Sequence, residues 1–222
     1  DEHSDVDFLA IIRQELSETE LAALQAMHKR IFALPIAWAQ HLEGSYFPLA
    51  MLQRYEPERD RPFYIDNGSQ ELVRHHHDNT WVVRWTVREY GIRLLGLPAN
   101  EIINPIPPEA LHREVIKTMQ DWGEEIVTGK YSINNRWAQP FAALSYGRML
   151  HTLTTGQIHS KLAAVSWAED NLDGRWADLL KRAWAERPLP GQKIQQPADP
   201  HELQETLDFI HEAIDNLEEL KH

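Results

Sequence analysis

The strongest constraint on this chain is a proline cluster near its middle, Asn104-Pro105-Ile106-Pro107-Pro108. Proline lacks a backbone N–H and clashes with the preceding turn. Neither a sheet nor a helix interior can run through the cluster, although a helix can start from it. A boundary between Ile106 and Pro107 divides the 222 residues into a front segment, 1–106, and a back segment, 107–222. Each is long enough to build its own core.

The two segments carry different periodicities. In the front, Val6 to Ile12 (VDFLAII) is β-branched and apolar, as in a buried strand. Ser17 and Glu20 form a capping box, behind which Leu21, Leu24, Ile31 and Leu34 recur at helical spacing until Pro35. Residues 41–47 are extended, and 54–69 form a loop containing a short strand, Phe63–Ile65. A helix is predicted over 72–89, carrying Trp81 and Trp85, ended by Gly91 as a left-handed cap and followed by a short strand, 92–95. In the back segment the pattern is helical throughout. Leu111, Val115, Met119 and Trp122 make one apolar face, and Trp137, Phe141, Leu144 and Leu153 make another, closed by Gly156. Ser160, Asp173 and Asp199 are placed to cap further helices. The last bears the stripe Leu203, Leu207, Ile210, Ile214 and Leu217. The expected class is α+β: a mixed-sheet domain over 1–106 and a helical bundle over 107–222.

Composition narrows the function. A formal net charge of −12 argues against a duplex-binding protein, so no nucleic-acid partner is expected. It suits a small cationic ligand, or simply a soluble surface. No apolar run reaches the length of a membrane span, and no charged-then-apolar leader opens the chain. Cysteine is absent, which excludes disulfides and thiolate metal sites and is compatible with a cytoplasmic location.

The tetrapeptide Ser4-Asp5-Val6-Asp7 heads the first strand. Side chains alternate along a strand, so Asp5 and Asp7 share one face while Val6 is expected to face the core. Two neighbouring carboxylates call for a positive charge between them, and Mg²⁺ is the oxygen-preferring cation that travels with nucleotide phosphates. Two solvated acids at a strand end would give the same tetrapeptide. A second candidate, His75-His76-His77-Asp78, falls within the predicted helix, where consecutive residues fan out over different faces. It reads as a solvated polar face rather than a metal cluster.

Ser-Asp-x-Asp followed by an apolar strand resembles the metal-binding motif of the polymerase-β-like nucleotidyltransferases. The stretch 88–96 (REYGIRLLG) with its proline-rich continuation is similar to the interdomain segment of the streptomycin/spectinomycin adenylyltransferases. Arg148, Thr155-Gly156-Gln157-Ile158, Lys161, Ala163-Ala164 and Trp167-Ala168 follow in the order and spacing of that family's helical domain. The resemblance implies transfer of AMP from ATP to a hydroxyl of a small cationic acceptor of the aminoglycoside type, with Mg²⁺. By position it makes Asp5 and Asp7 the metal ligands and Glu43 the general base. Ser4, Arg148 and Lys161 would contact the nucleotide, and ATP would be engaged from both domains. Lys161 also stands in the first turn of a helix, where backbone N–H groups favour phosphate.

The family's Gly-Ser motif precedes Ser-Asp-x-Asp, and only Asp1-Glu2-His3 stand before it here. The nucleotidyltransferase domain is therefore expected to be N-terminally incomplete and the chain alone to turn over poorly. Where the family sets acids against the aminoglycoside, this sequence has Asn134-Asn135-Arg136-Trp137, so the acceptor stays open. A non-catalytic binding or regulatory remnant is the alternative. A helical nuclease using Arg148 and His151 is disfavoured by the acidity.

Overall fold

The computed structural model describes residues 5–189, 192 and 194–217. The chain divides into two compact units, Asp1–Ile106 and Pro107–His222.

The first unit is built on a four-stranded sheet in the order β1-β2-β3-β4. β1 (Val6–Ile12) leads into α1 (Glu18–Phe32), whose start is fixed by reciprocal bonds between Ser17 and Glu20. A short 3-10 turn then delivers β2 (Leu42–Pro48), which runs parallel to β1, the arrangement that a helical crossover permits. α2 (Leu49–Leu52) follows, β3 (Phe63–Ile65) adds antiparallel to β2, and β4 (Leu72–Arg74) adds antiparallel to β3. α3 (Trp81–Tyr90) and α4 (Ala99–Ile102) complete the unit.

Alternation along β1 and β2 sorts side chains onto two faces. Phe8, Ala10 and Ile12 join Tyr46, Ile65 and Leu72 against Leu21 and Leu24 of α1. Leu9 and Ile11 join Phe47, Met51, Leu52 and Ile103 against Val87 of α3. Asp5 and Asp7 belong to this second face, before it becomes apolar. Val6, expected to face the core, is instead exposed, because the apolar layer opposite begins only at Phe8. At Gly44 the parallel pair comes so close that a Cβ would lie 2.0 Å from the Phe8 carbonyl oxygen.

Three further expectations fail. The helix predicted over 72–89 starts only at Trp81, capped by Thr80, whose hydroxyl accepts the Val83 amide at 3.0 Å. Leu72 to Arg74 form β4 instead, because pairing with β3 satisfies their backbone and buries Leu72. Gly91 has φ −60°, so α3 ends without a left-handed cap. Residues 92–95 form no strand: Ile92, Leu94 and Leu95 are almost fully exposed and lack a ladder partner among the described residues.

The second unit is helical: α5 (Pro108–Val127), α6 (Ala138–Thr155), α7 (Lys161–Asn171), α8 (Gly174–Ala185) and α9 (Pro200–Asp215). Ser160, Asp173 and Asp199 cap α7, α8 and α9, and Gly156 ends α6 at φ +70°. α6 is buried nearly all round, which a helix tolerates only when neighbours cover every side. Two of its buried side chains bond to neighbouring helices: Tyr146 donates to the Met119 carbonyl at 2.6 Å, and Gln139 to Thr206 Oγ1 at 2.7 Å. Gly123 lets α9 approach α5, since a Cβ there would lie 2.2 Å from Ile214. No described helix is long and apolar enough to cross a membrane.

Candidate active site

The parallel register of β1 and β2 places Glu43 opposite Asp7. Asp5 lies two residues earlier on the same face as Asp7, so three carboxylates converge, with ligand oxygens within 4.8 Å of one another. Strand alternation brings Ser45 to the same face of β2, and Tyr64 lies opposite Ser45 on β3.

The surrounding polar groups hold this cluster in place. Asn67 donates to Asp5 Oδ2 at 2.8 Å, and His41 Nδ1 lies 3.1 Å from Asn67 Oδ1. The Tyr64 hydroxyl donates to Glu43 Oε1 at 2.6 Å and stands 3.0 Å from Asp66 Oδ1. His77 Nε2 lies 3.2 Å from the same Glu43 oxygen, and Ser45 donates to Asp78 Oδ2 at 2.7 Å. The reading of His75 to Asp78 as a helical face is thus overturned, while His77 stays exposed as expected and still reaches Glu43. These residues lie in the loop between β4 and α3, which folds back onto β2. No helical periodicity applies to them.

The electrostatics separate the acids into two kinds. Asp7 is exposed, yet desolvation of its carboxyl, then the like charges of Asp5, Glu43 and Asp78, only partly offset by His77, push it up to about 6. Burial also raises Asp78. Burial pushes Glu43 upward too, but hydrogen bonds from His77 and Tyr64, the His77 charge and the Asn67 amide outweigh it and hold its carboxyl below the ordinary range. His77 is raised by its bond to Glu43 against the opposing effect of burial. At Asp7 repulsion therefore outweighs the compensation from His77, and Glu43 is stabilised as the anion. An all-carboxylate donor set whose members repel one another fits a hard divalent cation such as Mg²⁺.

The remaining sequence candidates do not belong to the described part of the first unit. Ser4 is outside the described residues. Arg148 lies half-buried in α6. Lys161 is the first residue of α7, with its ammonium 4.3 Å from the centre of the Phe141 ring. Tyr64, Asn67, His77 and Asp78 were not singled out by the sequence as site residues. Their signal was the polar run flanking a short strand, but only sheet register reveals which of them reach Glu43.

No curated protein sequence matches the chain. Among solved structures, it is similar to the spectinomycin adenyltransferase AAD(9) from Enterococcus faecialis, crystallised with ATP and spectinomycin. The TM-score is 0.64 at 13% identity, over 95% of this chain and 85% of that one. This likeness establishes the fold: a mixed-sheet nucleotidyltransferase-like part with a helical C-terminal part. The family model for the aminoglycoside adenylyltransferase C-terminal domain matches residues 101–213, which is more than half of the sequence. On that match, the chain belongs to the aminoglycoside adenylyltransferase family.

Proposed function

We propose that this protein transfers AMP from ATP to a hydroxyl group of a small cationic acceptor of the aminoglycoside type. The observation that carries the proposal is the convergence of Asp5, Asp7 and Glu43 across the β1–β2 pair, with Asp7 raised by its neighbours and Glu43 held ionised. Family membership supports the same reading, as does the ATP and spectinomycin bound by the structural neighbour.

Asp5 and Asp7 would hold Mg²⁺, which supplies neutralisation of phosphate charge and orientation for in-line attack. Glu43 accepts the proton of the acceptor hydroxyl, a task for a carboxylate that is anionic at neutral pH. Arg148 and Lys161, with Ser4, contact the nucleotide, the two cations by charge-assisted bonds to phosphate oxygens. The excess of acid, −12 overall, attracts an acceptor bearing ammonium groups.

Two measurements test this. Pyrophosphate release from MgATP is followed for this chain and an N-terminally extended one with spectinomycin and a panel of aminoglycosides, and acceptor-dependent release is expected from the extended protein. Calorimetric titration of Mg²⁺ and ATP into wild type and Asp7→Asn is the second, with metal-dependent binding expected only in wild type. Equal metal-dependent binding by both proteins removes Asp7 from the site. Tight acceptor binding without pyrophosphate release would favour a binding module instead.

A further inference from the structure

We infer that Tyr64 and His77 are positioning residues for Glu43, orienting its carboxylate toward the acceptor hydroxyl. This rests on the assignment of Glu43 as the base in the proposed reaction. Glu43 is a flexible side chain on an otherwise rigid strand. Left alone it would sample several rotamers, few of which point an oxygen at an incoming hydroxyl. Tyr64 from β3 and His77 from the loop before α3 both engage the same oxygen, Oε1, at 2.6 and 3.2 Å. Two donors from different elements on one oxygen restrain rotation of the carboxylate.

The donors are themselves held. The Tyr64 and His77 rings pack 5.0 Å apart at 30°. The His77 amide donates to His75 Nδ1 at 3.1 Å. On the next residue, Asp78 accepts the Ser45 hydroxyl, tying the loop to the strand that carries Glu43. Beyond it, Asn79 is 1% exposed, donates to the Asp60 carbonyl at 3.1 Å and accepts from Arg84 at 2.8 Å. Arg84, also buried, donates to the carbonyls of Leu52 and Met51 at 2.9 and 2.8 Å. Buried polar groups that bond one another in this way tie the loop to α2 and restrict its movement. The Arg84–Asn79 network therefore sets where His77 stands, and His77 helps set where Glu43 points. Misplacing a reacting group by about 1 Å costs on the order of 10²-fold in rate, so such support matters to turnover.

The test uses the full-length protein with MgATP and spectinomycin or the best acceptor of the panel. Tyr64→Phe and His77→Phe are each expected to lower kcat about tenfold or more, leaving KM for ATP near wild type, because orientation of a base enters the chemical step. His77→Gln, whose side-chain N–H can still donate to Oε1, is expected to recover most of the loss. In a Glu43→Gln background, His77→Phe and Tyr64→Phe should add nothing, which a merely structural role would not produce. Crystal structures give a readout independent of activity: one Glu43 rotamer in His77→Gln, several in the Tyr64→Phe/His77→Phe double variant. Wild-type kcat in both single Phe variants, beside an inactive Glu43→Gln, would overturn the positioning role and leave the proposed function standing. Wild-type kcat in Glu43→Gln would overturn Glu43 as base, and the inference with it. An unchanged Glu43 rotamer in the double variant also overturns the positioning role.

Discussion

Two groups of acids, one in each unit, behave in opposite ways. In the helical unit, Glu202 and Glu205 of α9 are bridged by Arg182 of α8, with the Arg182–Glu202 contact at 2.7 Å, and Glu212 meets Arg175 at 3.4 Å. Each of those carboxylates has a cation opposite it and helps join two helices. In the sheet unit, Asp5, Asp7 and Glu43 face one another, and Asp7 is driven toward neutrality. Like charges are not gathered for stability, since each raises the cost of ionising the others. The difference separates charge used to hold a fold from charge kept for a ligand.

The sharpest way to break that comparison is Glu43→Gln. If the cluster serves chemistry, turnover falls about 10²- to 10⁴-fold, the contribution of a general base, while thermal stability stays near wild type. Loss of stability with retained turnover would put Glu43 among the structural acids. The converse probe is Phe209→Ala in α9, where the side chain is 1% exposed. It should cost about 3–5 kcal/mol in urea unfolding, without changing metal affinity in the sheet unit.

Smaller effects are expected from the cations assigned to the nucleotide. Arg148→Ala and Lys161→Ala should each weaken ATP binding by about 1.5–3 kcal/mol, as for hydrogen bonds to charged groups. The loss should shrink in high salt if the contacts are open to solvent. Unaltered ATP affinity in both variants would restrict these residues to the helical fold. Arg182→Ala, which removes a partly exposed ion-pair clamp, should cost no more than about 1 kcal/mol in unfolding and nothing in ATP affinity.

The smallest effect has a diagnostic sign. The folded-state pKa of Asp7 is raised, so the native protein binds the proton more tightly than the unfolded chain does. In metal-free protein its favourable contribution is complete below the ordinary carboxylate value near 3.8 and is lost as pH rises through about 6. Asp7→Asn should therefore be more stable than wild type at pH 7.5 in chelator, with the gap closing toward pH 4. Mg²⁺ should reverse the order at pH 7.5. Urea unfolding with and without Mg²⁺ at the two pH values checks both statements. A gap independent of pH would remove the mutual repulsion on which the comparison depends.

Local signals determined by the sequence include the helix starts at Ser17, Ser160, Asp173 and Asp199, the end of α6 at Gly156, and the strands β1, β2 and β3. Each depends on a cap, a turn or a short-range period that neighbouring residues specify between themselves. The same-face placement of Asp5 and Asp7 was legible for that reason, and so was the change from sheet to helices across the prolines. Glu43 was approached only through its flanking residues. What put it opposite Asp7 is the parallel register of two strands separated by α1, a long-range pairing that no local pattern encodes. Tertiary structure alone also decided the fate of 72–80. Pairing with β3 turned Leu72 to Arg74 into a strand, and the Asn79–Arg84 network folded the following loop so that His77 meets Glu43. The exposed 92–95 segment makes the same point from the other side, because an apolar β-prone run becomes a strand only where another strand offers it hydrogen bonds.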